Sequence, residues 1–569
     1  MIRKKRTYRF AALIAFIFFS SLSAQDKPSP PEKKEPAQRD VAVPAQPTAP
    51  LPKIDLPEFL ITGQETIDLP VSSKTAVEED RVYVPGAQSP GGKDANVNLG
   101  GKEEKTITSP SGQLNGRVAA GIGNYTSPFM DGWFGKNYDD GGVLFHANYA
   151  SSNGHVQNAN WQRTGIGMSG DYTSPASFGM IAGSRLSGGL DFSGQSFRAY
   201  GSTVDPSQQR TLNDIELNLG LASNSSIPRL FDAPVDYSVG VKWSGNSLND
   251  SADVSENDFG VTASGSTEKE DVRLNGSVEY LASSISTPSF PGADLHSPQW
   301  FTMKLSGMKM LSPAFQASLA LQQYFYRGVV SALSGRFFPQ AELRYFMNSI
   351  TTFSFSIAPD VVRNTLATLV HANNYVLDAA YVRPSEIPFS ISLGSEVTPN
   401  DVVQGRASLS YRTVQNFPLF VELNSAKVWD VVYLPTVSVA RVEIEGSYAF
   451  SPENSATLTA SLNSTKAKDS SGAVPNIPAL SLGASYWRSL GNGIDIEGYV
   501  QYQSKRWKDF THTASNAGFI DIGGRGEYQF AENFQAVLRI DNLLDQHYYI
   551  WDGYVERPTF ISVGVTYKW

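Results

Sequence analysis

The last strand constrains this chain most: Pro558-Thr-Phe-Ile-Ser-Val-Gly-Val-Thr-Tyr-Lys-Trp569. Side chains on a strand alternate between two faces. Ile561, Val563, Val565, Tyr567 and Trp569 therefore share one face. Ser562, Gly564, Thr566 and Lys568 share the other, with Phe560 the single exception. Such a pattern asks for an apolar medium on one side and water on the other. The edge of a soluble sandwich would meet that demand, but it would leave an aromatic edge open to aggregation. A closed barrel in lipid has no edge and seats such aromatics at the membrane interface.

The first 24 residues read as a secretory signal. Arg3, Lys4, Lys5, Arg6 and Arg9 form a basic start, Phe10 to Phe19 is an apolar run, and Ser21-Leu-Ser-Ala24 offers small residues for cleavage. Cleavage is expected after Ala24, with Ser23 the near alternative. The run is too short to cross a bilayer as a helix. The sequence contains no cysteine, which excludes a disulfide framework and a lipidated N-terminal Cys. Removing the signal takes away five basic and no acidic residues, so the formal charge moves from -9 to -14. An acidic exported chain does not suit nucleic acid as a partner. Past the signal, no segment approaches the roughly 18 uninterrupted apolar residues of a membrane helix. The many aromatics, 25 Tyr and 31 Phe among them, must then be buried through alternation.

Residues 25–53 are a proline-rich linker whose composition cannot bury a core. Residues 54–110 are expected to form a mostly disordered arm, either periplasmic or lying in the lumen as a small stopper, containing the apolar island Ile54-Asp-Leu-Pro-Glu-Phe-Leu-Ile-Thr-Gly63. From 111 to 569 the pattern barely changes: alternating segments of about ten residues separated by turns. Ala456, Leu458, Ala460 and Leu462 oppose Thr457, Thr459 and Ser461. Ile494, Ile496, Val500 and Tyr502 oppose Asp495, Glu497, Gln501 and Gln503, with Tyr499 on the polar side. Phe534, Ala536, Leu538 and Ile540 oppose Gln535, Arg539 and Asp541, and Val537 breaks the rule. Short turns at 174–177, 311–314, 347–349, 450–453 and 530–533 are interleaved with longer loops expected at 187–210, 246–257, 284–299, 359–374, 464–479, 506–517 and 545–557. Outer-membrane barrels show this rhythm, with short periplasmic turns and longer external loops. The fold class is all-β: a large antiparallel transmembrane β-barrel with an even number of strands.

The stretch Leu538-Arg-Ile-Asp-Asn-Leu-Leu-Asp-Gln-His-Tyr-Tyr549, followed by Gly553-Tyr554 and the final strand, resembles the C-terminus of TonB-dependent receptors. Asn542, Leu543, Leu544, Asp545 and Tyr548 match the family's pattern in order and spacing. The family's Pro-Gly-Arg before the last strand is replaced here by Glu556-Arg-Pro-Thr559. Gly121-Ile-Gly-Asn-Tyr125 is a weaker echo of the opening of the family's barrel. The resemblance implies about 22 strands, and it implies a plug that the arm is too small to supply in full. Glu58, Phe59, Leu60, Ile61, Thr62 and Gly63 are similar to the segment by which such receptors contact TonB.

Candidate lumen-lining charges are Arg441, Glu443, Glu445, Asp495, Glu497, Asp521, Arg525, Glu527, Arg539, Asp541 and Lys568. They either line a solute path or form the ion-paired wall that any hydrated lumen needs. Tyr548, Tyr549 and Trp551 read as interfacial girdle residues rather than ligand contacts. The six histidines are scattered without metal-ligand spacing. No Gly-x-Ser-x-Gly elbow is present, and His512 beside Asp509 or Asp521 reads better as a surface loop histidine than as part of a triad. The chain is therefore expected to be a non-enzymatic outer-membrane barrel of a Gram-negative envelope, without cofactor, passing or taking up a solute. A passive porin-like channel and a barrel that anchors a periplasmic partner are the alternatives. Expected partners are outer-membrane lipid, the barrel-assembly machinery reading Tyr567 and Trp569, and TonB or another periplasmic protein reached by the N-terminal arm.

Overall fold

The computed structural model describes residues 114–569, apart from 224–228, 231–232, 251–252, 287–296, 329–332, 378–381, 398–402, 469 and 471. The signal, the linker and the arm, with Glu58 to Gly63, lie outside the described residues. Within them, 22 antiparallel strands form one sheet that closes on itself. The first strand, Leu114–Gly123, pairs with the last, Phe560–Lys568, from Arg117 opposite Lys568 to Gly123 opposite Ser562. Closure leaves no strand edge, which is how a sheet satisfies its backbone in hydrocarbon.

The alternation in the sequence sets the two faces. Val563 and Val565 are 53% and 45% exposed on the outer surface, while Ser562 and Thr566 are buried inward. At one end of the barrel the outward aromatics stack in series. Phe315 lies on Tyr345 with ring centroids 4.9 Å apart, Phe534 on Tyr567 at 4.8 Å, and Tyr567 on Trp569 at 5.5 Å. Such a belt is the interfacial girdle of membrane barrels. Trp569 and Gly116 exchange backbone hydrogen bonds across the closure. A Cβ on Gly116 would enter the Trp569 ring, so only glycine fits there.

The three residues that break the alternation all face inward and are packed. Phe560 is buried under the Arg557 guanidinium, 3.5 Å from its ring centroid. Val537 packs with Ala119 and Phe129. Tyr499 lies over Gly523 and donates to Asp541 Oδ1 at 2.6 Å. The inner wall is thus dry in places, and there it accepts apolar or aromatic side chains.

The short–long rhythm of turns holds, with shifted bounds. The expected loop 187–210 is only 199–208, because the strand Arg185–Arg198 continues through its first half. The expected loop 246–257 shrinks to 250–253, since the strands Ala233–Asn249 and Val254–Lys269 run almost to the tip. Ser247, Asn249, Ser255 and Asn257 fall on the outward face with Phe259, while Leu248 and Val254 are buried inward, and that outer polarity mimics a loop. Conversely, 174–177 belongs to a longer turn holding the 3-10 segment Ala176–Ile181. The loop around 359–374 extends from 358 to 384 and contains the helix Leu366–Ala372. Thr365 and Thr368 close that helix in a reciprocal capping box. Both chain ends of the barrel lie at the short-turn end. The tip 124–126 belongs to the long-loop end, where Asn124 N–H donates to Ile561 O.

Candidate functional site: the inner wall and the loop cap

The expected lumen charges project from the face opposite the exposed apolar side chains, and most are paired. Arg441 Nη2 lies 2.6 Å from Glu443 Oε1, and Arg406 Nη2 lies 2.8 Å from Glu445 Oε2. Arg525 pairs with Glu527 on the same strand. Arg539 and Arg557 both reach Asp541, at 3.0 and 3.5 Å. Asp495 and Glu497 stand partly covered opposite the exposed Ile496, and Lys568 stands across from Arg117.

Asp521 and Asp541 are 0% and 2% exposed. Neither lines open space. Asp521 Oδ1 accepts the Asn542 N–H at 3.0 Å. Asn542 has φ 47°, and its side chain bonds Gln546 O, Gln546 N–H and Arg557 O. Asn tolerates that left-handed backbone and ties its own turn. The Asn542–Asp545 stretch is therefore a structural corner that ends one strand and starts the last long loop.

That loop, 542–559, meets loops 199–208, 358–384 and 423–428 over the long-loop end of the barrel. Their buried core contains Tyr375, Tyr548, Ile550, Trp551 and Tyr554, packed with Phe420 and Trp429 from strand ends. Tyr548 and Trp551 are each 3% exposed, so the girdle role expected for them does not hold; Tyr549 alone of the three is exposed. Sequence reasoning read them by type, and the loop's inward fold decides otherwise. Tyr200 Oη donates to Val555 O at 2.9 Å, Tyr554 Oη to Lys427 O at 3.0 Å, and Thr203 N–H to Ala426 O at 3.1 Å. Burial pushes the phenols of Tyr200, Tyr375 and Tyr554 up from their ordinary range. Lys427 sits among Glu422, at 3.1 Å, and Asp552. Burial acts to lower its pKa, but the two carboxylates win and raise it. Lys508 Nζ also reaches Asp552 Oδ1, at 2.6 Å. The loops thus form one packed cap.

His512 stacks on Trp507 with centroids 4.4 Å apart and accepts the Ala473 N–H at 3.0 Å. The Asp509 carboxylate is taken by Thr511, Thr513 and Ala514. The two do not form a nucleophile-activating pair. Among the described residues, no group of three or more His, Cys, Asp or Glu could hold a metal ion.

Sequence reasoning missed the inward charges of the first half of the barrel. Beside the cap, a recess of about 290 Å³ is lined by His146, Asn148, Asp191, Ser193, Asp214 and Glu216. Arg210, Glu256 and Asp258 lie nearby on the same wall, each at least nine-tenths buried. For Asp191, Asp214, Glu216 and Asp258 the signal was present in apolar neighbours such as Phe192, Ile215, Leu217 and Phe259, whereas Arg210 and Glu256 have polar residues on both sides.

No protein-family model matches the sequence, and no curated protein does. Solved structures do match. The FrpB iron transporter from Neisseria meningitidis (F3-3 variant) aligns with a TM-score of 0.62 at 11% identity, over 81% of this chain and 82% of that one. The copper transporter OprC aligns with a TM-score of 0.62 at 12% identity, over 82% of both chains. The siderophore receptor PirA from Acinetobacter baumannii gives 0.61 at 10% identity, over 82% of this chain and 81% of that one. These names describe transporters and a receptor rather than enzymes. The chain has the 22-strand barrel fold of TonB-dependent receptors.

Proposed function

We propose that this barrel sits in the outer membrane, long loops outward, and carries a hydrophilic solute across it. One observation supports this above others: a charged, hydrogen-bonded inner wall runs through a barrel whose outer face is apolar and belted with aromatics. The similarity to iron, copper and siderophore transporters and receptors favours uptake of the same general kind.

The packed cap favours regulated passage over an always-open porin. The arm, leaving the short-turn end, would then work in the periplasm. Glu58 to Gly63 would add as an extended segment to the sheet edge of TonB or another periplasmic protein, with the proline-rich linker giving reach. In this reading Arg441, Glu443, Glu445, Asp495, Glu497, Arg525, Glu527, Arg539 and Lys568 border the path. Tyr567 and Trp569 present the barrel to lipid and to the assembly machinery.

Conductance of the purified protein in a planar bilayer tests passage, with and without residues 58–63. Loss of binding to the periplasmic partner at unchanged conductance supports the docking arm. Raised conductance with partner binding intact makes the segment a stopper. A barrel that passes no ion or solute in any form, while still binding a periplasmic protein, would refute passage and leave the anchor.

A further inference from the structure

We propose that residues 360–377 are an internal gate, held across the long-loop end of the lumen by charged contacts to the barrel wall and released as a unit. This goes beyond solute passage; it takes from that reading only which end faces outward.

The segment runs as a chord across the barrel. It leaves the wall beside the strand Thr351–Ile357, where Asp360–Val362 pairs with Ser385–Ile387 and Tyr324 Oη donates to Asp360. It then crosses to strands several places away in the sheet. Arg363 reaches Asp258 on the strand Val254–Lys269. The Leu366 N–H donates to Glu256 Oε2 at 2.6 Å, so a wall carboxylate holds the start of the helix. Leu366, Leu369 and Val370 pack into the same buried cluster as Leu248 and Val254. In the last turn of the helix, His371 Nε2 lies 3.2 Å from Asp214 Oδ2 on the strand Gln209–Ala222. Arg210, paired with Asp250 at 3.1 Å, donates to the carbonyls of Asn374 and Val376. The chord closes where Leu377 N–H donates to Trp429 O at 2.7 Å.

Asp214 is five residues from the rim of its strand, so the segment reaches roughly 16 Å down the wall at about 3.3 Å per residue. It therefore obstructs the bore rather than decorating its mouth.

Two features make it a gate rather than a fixed part of the wall. Its crossing contacts are side-chain charges, the apolar packing of Leu366, Leu369 and Val370, and an isolated bridge at Val376 and Trp429, with a continuous ladder only at its root. A segment without ladder pairing along its length opens more readily than the strands on either side of it. Moreover, Asn373 Nδ2 and both ends of the Asn374 side-chain amide find no partner among the described residues, although these residues are 1% and 2% exposed. A buried amide without partners opposes the closed position, and release into water removes that penalty.

The absence of cysteine from the sequence makes a single introduced thiol a clean probe. Ser193 faces the lumen below the gate, its Oγ 3.3 Å from Asp214 Oδ2, and Val204 is an exposed residue of the outer loops. Intact cells carrying full-length Ser193→Cys or Val204→Cys would be treated with a bulky, membrane-impermeant maleimide. Val204→Cys should label rapidly in every background. Ser193→Cys should label slowly, and about tenfold faster or more when Arg210→Met and Arg363→Gln are added, the shift expected when a closed state loses its bias. If that pair prevents a heat-modifiable barrel, the near-isosteric pair Glu256→Gln and Asp258→Asn takes its place. Rapid labelling of Ser193→Cys with the native gate overturns the proposal, as does slow labelling after the contacts are cut. Unlabelled Val204→Cys overturns both the gate and the orientation. A labelling change without any conductance refutes passage and leaves the gate standing.

Discussion

The rings of Tyr375 and Tyr554 stack face to face, with centroids 3.3 Å apart and planes 20° from parallel. One belongs to loop 358–384 and the other to loop 542–559. Tyr200 meets Tyr554 edge-on at 5.1 Å, and Trp429 lies 5.8 Å from it. These two long loops share one buried centre, so disturbing either should be felt in the other.

Truncating either ring should loosen the cap without dissolving the barrel. Tyr375→Ala and Tyr554→Ala are each expected to expose loops 358–377 and 423–428 to protease while the unboiled gel band persists. A double-mutant cycle should return a coupling of about 1 kcal/mol, the usual worth of an aromatic pair. Additive effects would mean that the rings do not communicate.

The inner wall should divide into costly and cheap charges. Asp541 is 3% exposed at its side chain and is shared by Tyr499, Arg539 and Arg557. Asp541→Asn leaves two guanidiniums without their anion and should cost about 3 kcal/mol. The Arg406–Glu445 pair is 70% and 57% exposed. Arg406→Gln should therefore cost less than about 1 kcal/mol. The temperature at which the folded gel band disappears would rank the two variants.

Acid should loosen the cap at His155. Its Nε2 donates to Val555 O at 3.0 Å, and its ring meets Tyr125 and Tyr200 edge-on. Burial, aided by the nearby positive Arg557 and His547, lowers its pKa below 6.5, while the bond to Val555 partly offsets the shift. The folded state thus binds this proton less readily than the unfolded one. Stability from this site is present above pH 6.5 and is lost as pH falls through the lowered value. Amide protection in 153–160 and 553–556 should fall on acidification, and His155→Gln should flatten that dependence. Equal pH dependence in both proteins would assign the effect to another group.

Lipid-facing positions should reject charge according to depth. Val563→Arg, in the middle of the last strand's outer face, should cost about 2–4 kcal/mol. Tyr567→Asp with Trp569→Asp removes the belt at the closing strand and should lower the amount of inserted barrel. Gly116→Val should act in the same direction by displacing the Trp569 ring. Normal amounts of folded protein in the outer membrane for all three would reverse the assigned faces.

Much of the barrel was legible because its physics is local. A strand's faces follow from residue order, so Ile561 to Trp569 announced their outward side and Arg441 to Glu445 their inward one. The breaks in alternation at Tyr499, Val537 and Phe560 were visible as breaks, but their cause was not. Each packs inward against residues distant in sequence: Tyr499 on Asp541, Val537 on Ala119, Phe560 on Gly123.

By itself, then, the sequence determined the strands, their faces and the closed membrane barrel, since alternation needs only nearest neighbours and a medium on each side. Tertiary structure alone decided the cap. Tyr375, Trp551 and Tyr554 look like loop aromatics in sequence and become a core when loops from distant parts of the barrel meet. Arg210, Glu256 and Asp258 look like ordinary lumen charges and become the holders of the 360–377 segment. Nothing local encodes such meetings: they depend on which wall positions closure of the barrel brings across the lumen from one another.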